Sequence, residues 1–231
     1  MKLFQIPFDS GNLVSKGAKY APEALCGKGA EIEADNDDIE KTQKNIYDTA
    51  VKEKRFLAVG GDHSVSYPLI MAFMKNNKDG CVLYFDAHAD ADVYMKPPSY
   101  EDLINVLFKD KILNNSNFAY VGLTKLFENE VKLIEGKKIK CFEIKDIKKI
   151  TEFVKGRKLY VSIDIDVLNV KGTGHPDGKA GIDELLKALE AVKEYIVSAD
   201  IVEVNPEINN DAVEAGKVIL KWFTNQMKIH T

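Results

Sequence analysis

Short runs of β-branched and aromatic residues recur along the chain, each followed by a longer stretch with apolar residues at helical spacing. That alternation is the signature of a parallel sheet joined by crossover helices. Strands are predicted at Lys2–Phe8, Phe56–Gly60, Cys81–Phe85, Phe118–Gly122, Ile139–Ile144, Leu159–Ile163 and Asp200–Val204. Several of these runs, Cys81-Val82-Leu83-Tyr84-Phe85 above all, are apolar at every position, as central strands covered by helices on both faces must be. Helices are predicted at Asp38–Lys54, Val65–Asn76, Tyr100–Phe108, Phe127–Ile134, Ile147–Val154, Asp183–Tyr195 and Asp211–Met227. Ser64 is placed to cap the second of them, and Asp183 or its neighbour Ile182 to start the sixth. No internal repeat, low-complexity tract or long Pro/Gly linker divides the chain. The expected fold is α/β, a three-layer α/β/α arrangement with a mostly parallel sheet of about eight strands, in a single domain over residues 1–231.

Composition narrows the functional classes. A chain of 231 residues is long enough to bury roughly 70% of its unfolded surface without disulfides or structural metals. Its 32 basic against 36 acidic side chains and net charge of −4 argue against nucleic acid as a main partner, since phosphate binding needs a basic face. Lys137-Lys138 and Lys148-Lys149 read as solvated helix or loop ends. Cys26, Cys81 and Cys141 are far apart, odd in number and set among apolar residues, so they read as reduced thiols rather than a disulfide frame. The N-terminal segment has no secretory h-region, and no run approaches the ~18 apolar residues of a membrane span. A cytoplasmic protein without membrane or nucleic-acid partners is expected.

The chemistry concentrates just after three strands, where open α/β sheets bind their ligands. The first is followed by Gly60-Gly61-Asp62-His63-Ser64, the second by Asp86-Ala87-His88-Ala89-Asp90, and the third ends in Asp164-Ile165-Asp166. On an extended backbone, residues at i, i+2 and i+4 share a face, so Asp86, His88 and Asp90 converge, as do Asp164 and Asp166. Taken singly, His63 reads as an ordinary loop histidine and Asp164-Ile165-Asp166 as a turn or helix cap. Three ionisable groups on one face beside an apolar strand are different, because burying them costs several kcal/mol unless something pairs them. Two imidazoles and four carboxylates make a mixed N/O donor set that suits divalent manganese, with zinc, nickel or cobalt also compatible. The carboxylates exceed one ion's requirement, which points to two ions bridged by shared Asp oxygens. Two such ions about 3.5–4 Å apart activate water for hydrolysis at neutral pH.

These three motifs, with Ser162-Ile163 preceding the third, resemble the ureohydrolases, the family of arginase, agmatinase and formiminoglutamase. Pro7-Phe8-Asp9-Ser10-Gly11 with Lys16-Gly17-Ala18 and Ala21-Pro22 is similar to the family's opening loop, and Val202-Glu203-Val204-Asn205-Pro206 to its last strand motif. The resemblance implies one ion held by His63, Asp86, Asp90 and Asp164 and a second by His88, Asp86, Asp164 and Asp166. It also implies that Glu203 holds the substrate's guanidinium group; a carboxylate at a strand end can receive that planar N–H fork. Asp62, beside a ligand, reads as a supporting or turn residue. A homo-oligomer, trimer or hexamer, is the corresponding expectation for assembly.

One stretch departs from the family. Many members carry a His-Gly pair between the second motif and the next helix, its His shuttling protons; here Ala91–Glu101 contains no histidine. Tyr100 falls near that position and is expected to contact the substrate, but a phenol is a poor base at neutral pH. His175, in Gly172-Thr173-Gly174-His175-Pro176, is then either a turn residue or the replacement relay and a substrate contact. His230, next to the C-terminus, reads as a surface residue. Lys125 stands where acidic substrate-binding residues are common in arginases, which disfavours arginine. The expected activity is hydrolysis of a guanidino or amidino C–N bond in a small molecule, releasing urea, with Asp86, Asp164, Glu203 and His175 in catalytic roles. The alternatives are a formiminoglutamase-like C–N hydrolase and a metal-binding member without catalysis. A collapsed pocket behind Tyr94–Tyr100 would favour the last.

Overall fold

A computed structural model describes residues 1–27 and 30–227; His230 lies outside the described residues. Among the described residues seven strands form one fully parallel sheet, close to the expected eight or so: β1 (Lys2–Gln5), β2 (Phe56–Val59), β3 (Cys81–Phe85), β4 (Phe118–Val121), β5 (Lys140–Phe142), β6 (Leu159–Asp164) and β7 (Ile196–Val202). Their spatial order is β1-β2-β7-β6-β3-β4-β5. Eight α-helices among the described residues accompany them: α1 (Ala21–Cys26), α2 (Ile39–Ala50), α3 (Ser66–Asn76), α4 (Leu103–Lys109), α5 (Glu128–Lys137), α6 (Ile147–Val154), α7 (Ile182–Val192) and α8 (Asn210–Met227). The short α1, with Pro22 in its first turn, was not predicted, because six residues are too few to show a 3.6-residue period.

The pleat sorts the strand side chains into two cores. In β2, β3 and β4, residues Phe56, Ala58, Val82, Tyr84, Phe118 and Tyr120 pack with α2, α3 and α4 on one face. The alternate residues, among them Leu57, Val59, Leu83, Phe85, Ala119 and Val121, pack with α1, α6, α7 and α8 on the other. Strands covered on both faces must be apolar at every position, and β2, β3 and β4 are buried throughout.

Several boundaries differ from expectation, β1 ending at Gln5, β5 shrinking to Lys140–Phe142 and α2 ending at Ala50 among them, and three of the differences bear on the site. Ser64 does not cap α3: it lies in a 3₁₀ turn, His63–Val65, where Asp62 accepts its backbone N–H at 3.0 Å. α4 starts at Leu103 rather than Tyr100, since the Asp102 carboxylate accepts the N–H groups of Met95 and Ser99, both at 2.7 Å, and holds the preceding segment as a loop. β7 begins at Ile196, four residues before the predicted start. Asp200 therefore sits inside a strand.

Candidate metal centre

Among the four adjacent strands β2, β7, β6 and β3, the first, third and fourth carry the six predicted metal ligands at or just beyond their carboxyl ends, and β7 carries Glu203. His63 follows β2 across the turn Gly60-Gly61-Asp62. Gly61 is obligatory there: a Cβ would lie 1.8 Å from the Phe8 carbonyl oxygen, while Asp62 N–H donates to that same oxygen and Glu203 N–H to the Gly61 carbonyl. Asp62 also accepts the Asn12 N–H at 2.7 Å and so ties the opening loop to the ligand turn. Burial pushes its carboxyl up to about 6.

Asp86, His88 and Asp90 do converge, but not on an extended backbone. β3 ends at Phe85, and the segment turns so that Asp90 takes a left-handed φ of 46°. Likewise Asp164 ends β6 and Asp166 lies in the 3₁₀ turn Ile165–Val167. Backbone donors hold these carboxylates: Asp86 Oδ1 accepts His88 N–H at 2.6 Å, Asp164 Oδ1 accepts Asp166 N–H at 2.8 Å, and Asp166 Oδ1 accepts Ala87 N–H at 3.1 Å.

The remaining atoms face one another in two groups. His63 Nδ1 lies 3.2, 3.0 and 3.1 Å from Asp86 Oδ2, Asp90 Oδ2 and Asp164 Oδ2. His88 Nδ1 lies 2.8 Å from Asp166 Oδ2 and 3.5 Å from Asp86 Oδ1. Donor atoms of His63, Asp86 and Asp90 form one metal-competent set and those of Asp86, His88 and Asp166 another, so Asp86 belongs to both. Asp86 Oδ2 is buried and accepts no hydrogen bond from the described residues. One imidazole proton cannot serve three carboxylate oxygens at contact distance, and a buried anionic oxygen without a partner is costly. A divalent cation resolves both conditions, so the donor set fits one.

The electrostatics agree. Burial and the neighbouring Asp90 and Asp166 push Asp86 up to about 8. Burial, then Asp166 and Asp86, raise Asp164 well above the usual carboxylate range. Burial alone would lower both imidazoles, but the carboxylates outweigh it: His63 rises, and His88 rises to about 12. Without a cation, the cluster holds itself together with protons.

Above it opens a cleft of about 110 Å³, lined by His88, Asp90, Asp164 and Asp166 at its floor and by Tyr100, His175, Lys125, Phe127 and Glu203 around it. The pocket behind Tyr94–Tyr100 is thus not collapsed. Glu203 is buried, with a left-handed φ of 61°, and its Oε1 accepts His63 N–H at 2.8 Å. Burial, then Asp164 and Asp62, raise its carboxyl well above the usual range. Tyr100 and His175 meet in the cleft, Oη to Nε2 at 3.5 Å, with His175 edge-on to His88 at 5.7 Å between ring centres. Tyr100 Oη donates to Glu101 at 2.7 Å; burial and that bond raise the phenol further above neutral pH.

The arginase-family model matches residues 30–223 of the sequence. The chain belongs to the arginase family. Members are metal-dependent hydrolases of C–N bonds in amidines and guanidines, and this is the chain's enzyme class. It is 30% identical over 195 residues to an agmatinase of Bacillus subtilis, covering 78% of this chain and 67% of that one. To an arginase of Staphylococcus aureus it is 26% identical over 222 residues, covering 80% and 73%. In structure it resembles the proclavaminate amidino hydrolase of Streptomyces clavuligerus (TM-score 0.86, 20% identity, 99% of this chain and 92% of that one). The Trypanosoma cruzi formiminoglutamase with Mn²⁺ is similar too (TM-score 0.84, 14% identity, 96% and 91%). At these identities the structural likenesses speak for the fold alone.

Four residues around the family's motifs escaped the sequence reading. Tyr84 stacks on His63 at 4.5 Å and donates to Asp90 Oδ2 at 2.6 Å. Ser162 Oγ lies 3.0 Å from His63 Nε2 and donates to Asp200 at 2.7 Å. Asp177 Oδ2 meets both His88 Nε2 at 3.0 Å and Lys125 Nζ at 2.9 Å. Tyr84 lies in the apolar run of β3 and Asp177 in the loop after His175, positions that carry no local signal. Asp200 carried a usable signal, a carboxylate amid Ile196–Val202, but placing it at a strand start hid it.

Proposed function

We propose that the chain hydrolyses a small guanidino compound and releases urea, using two divalent ions, manganese foremost. The observation that carries this reading is Asp86, whose buried, unbonded Oδ2 belongs to a ligand set beneath a cleft that Glu203 also lines. His63, Asp86, Asp90 and Asp164 would hold one ion, and His88, Asp86, Asp164 and Asp166 the other. Bound there, the ions would lower the pKa of water and polarise the C–N group under attack.

The chain's own residues supply the rest. Glu203, with Oε1 fixed by His63 N–H, offers its second oxygen to the guanidinium in a charge-assisted bond. A cation arriving there favours the ionised carboxylate that burial disfavours. His175, between His88 and Tyr100, moves the proton to the leaving amine in place of the absent loop histidine. The raised phenol of Tyr100 keeps its own proton and orients the imidazole.

The far end of the substrate is read by the cleft's charge. Lys125 is the one Lys or Arg among the described lining residues, and it is paired with Asp177. Asp92, Glu101 and Glu130 line the same cleft outside the ligand set. A distal amine meets favourable potential there, and a distal carboxylate does not, which argues against formiminoglutamate and arginine. The test is a urea-release screen of Mn²⁺-reconstituted protein over agmatine, arginine, guanidinobutyrate, guanidinopropionate and guanidine, with an ammonia assay on formiminoglutamate. Agmatine should give the highest kcat/KM. Preference for formiminoglutamate, or turnover of none, would overturn the reading.

A further inference from the structure

We propose that Asp200 is a positioning residue for the metal centre: acting through Ser162, it determines which nitrogen of His63 carries the proton and so presents Nδ1 as the ligand atom. Asp200 lies in the middle of β7, in register with Ser162 on β6 and Ala58 on β2. It is fully buried, and no Lys or Arg among the described residues pairs with it. Its partners are hydroxyls: Tyr160 Oη donates to Oδ2 and Ser162 Oγ to Oδ1, the latter at 2.7 Å. A carboxylate placed at such desolvation cost, without a Lys or Arg partner, needs a reason.

Proton counting supplies it. Ser162 has one proton and gives it to Asp200, so at 3.0 Å its oxygen can only accept from His63 Nε2–H. A neutral imidazole protonated at Nε2 carries its lone pair on Nδ1. Nδ1 is the atom 3.0–3.2 Å from the oxygens of Asp86, Asp90 and Asp164. Tyr84, 3.0 Å from Nδ1, has already given its proton to Asp90. Once the cluster's own protons are displaced, Nδ1 and the three facing carboxylate oxygens converge as four electron-rich donors, a set that suits a cation. If Asp200 loses its charge, Ser162 is free to donate to Nε2 instead; the proton moves to Nδ1 and blocks the lone pair. Orientation of a ligating imidazole by a carboxylate behind it is a general device, worth 10- to 100-fold in metal affinity. Here a serine is interposed. The second imidazole is anchored independently, since His88 Nε2 faces Asp177 directly at 3.0 Å.

The inference rests on the two-ion reading, and one experiment separates them. The full chain, stripped with chelator, is titrated with Mn²⁺ by calorimetry, alongside Asp200→Asn, Ser162→Ala and Ser162→Thr. Wild type should bind two equivalents. In Asp200→Asn and Ser162→Ala, one equivalent should weaken 10- to 100-fold while the other stays within about 3-fold. Ser162→Thr, which keeps the hydroxyl, should restore it. Unchanged binding in Asp200→Asn overturns the inference, as does equal weakening of both equivalents with a lower Tm of the stripped protein, the mark of a merely structural role. One equivalent in the wild type overturns the two-ion reading instead, and the same variants then decide whether Asp200 governs that single ion.

Discussion

Removing the metal should invert the pH dependence of stability. In the stripped protein Asp86 titrates at about 8, raised by burial, Asp90 and Asp166 from an ordinary 3.8. Between those values the folded state keeps a proton that the unfolded chain has released, so stability present below pH 4 is lost as pH rises toward 8. His88, raised from 6.5 to about 12, acts in the same direction above pH 6.5. The groups with lowered values, Asp35, Asp146 and Asp177, work oppositely, but only below their ordinary 3.8. One group held this way changes stability by about 1.4 kcal/mol per pH unit. A chain of this length has an unfolding entropy of about 0.5 kcal/mol/K, so Asp86 alone contributes a fall of about 3 °C per unit, or about 7 °C from pH 5 to 7.5, and the raised carboxyls of Asp164, Glu203 and Asp62 add to it in the same direction. With saturating Mn²⁺ the slope should change sign, because the ion competes with protons for the same atoms. Differential scanning calorimetry across that range, with EDTA and with Mn²⁺, reads both slopes. A chelated Tm that is flat or rises from pH 5 to 7.5 would refute the view that protons replace a cation at Asp86.

Glu203→Gln should reduce kcat at least 10²-fold on a guanidino substrate while metal content stays at the wild-type value; unchanged turnover would make Glu203 structural. His175→Asn should lower kcat roughly 10²-fold with metals retained, the scale of a lost general acid, whereas Tyr100→Phe should cost less. If Tyr100→Phe is the damaging change and His175→Asn is silent, the relay runs through the phenol.

How much of this was legible beforehand can be judged at particular residues. All seven strands and seven of the eight helices were visible, because strands covered on both faces must be apolar throughout and long helices show their period. The six metal-ligand candidates were visible too, because His and Asp just beyond apolar strand ends have few other uses at such density. Their convergence was inferred correctly from the wrong backbone: alternation on a strand was expected, and Asp90 in fact reaches the cluster through a left-handed turn that no periodicity encodes. The partners behind the ligands were out of reach. Ser162 and Asp200 are 38 residues apart and meet only because β6 pairs with β7. His88 and Asp177 meet across 89 residues, and His175 reaches Tyr100 across 75. Sequence alone determined the residue chemistry, the layer architecture and the strand ends at which the ligands sit. Only the tertiary structure decided the strand order β1-β2-β7-β6-β3-β4-β5, and with it the proton-holding contacts, because hydrogen bonds between distant segments depend on register and on angles that local patterns do not carry.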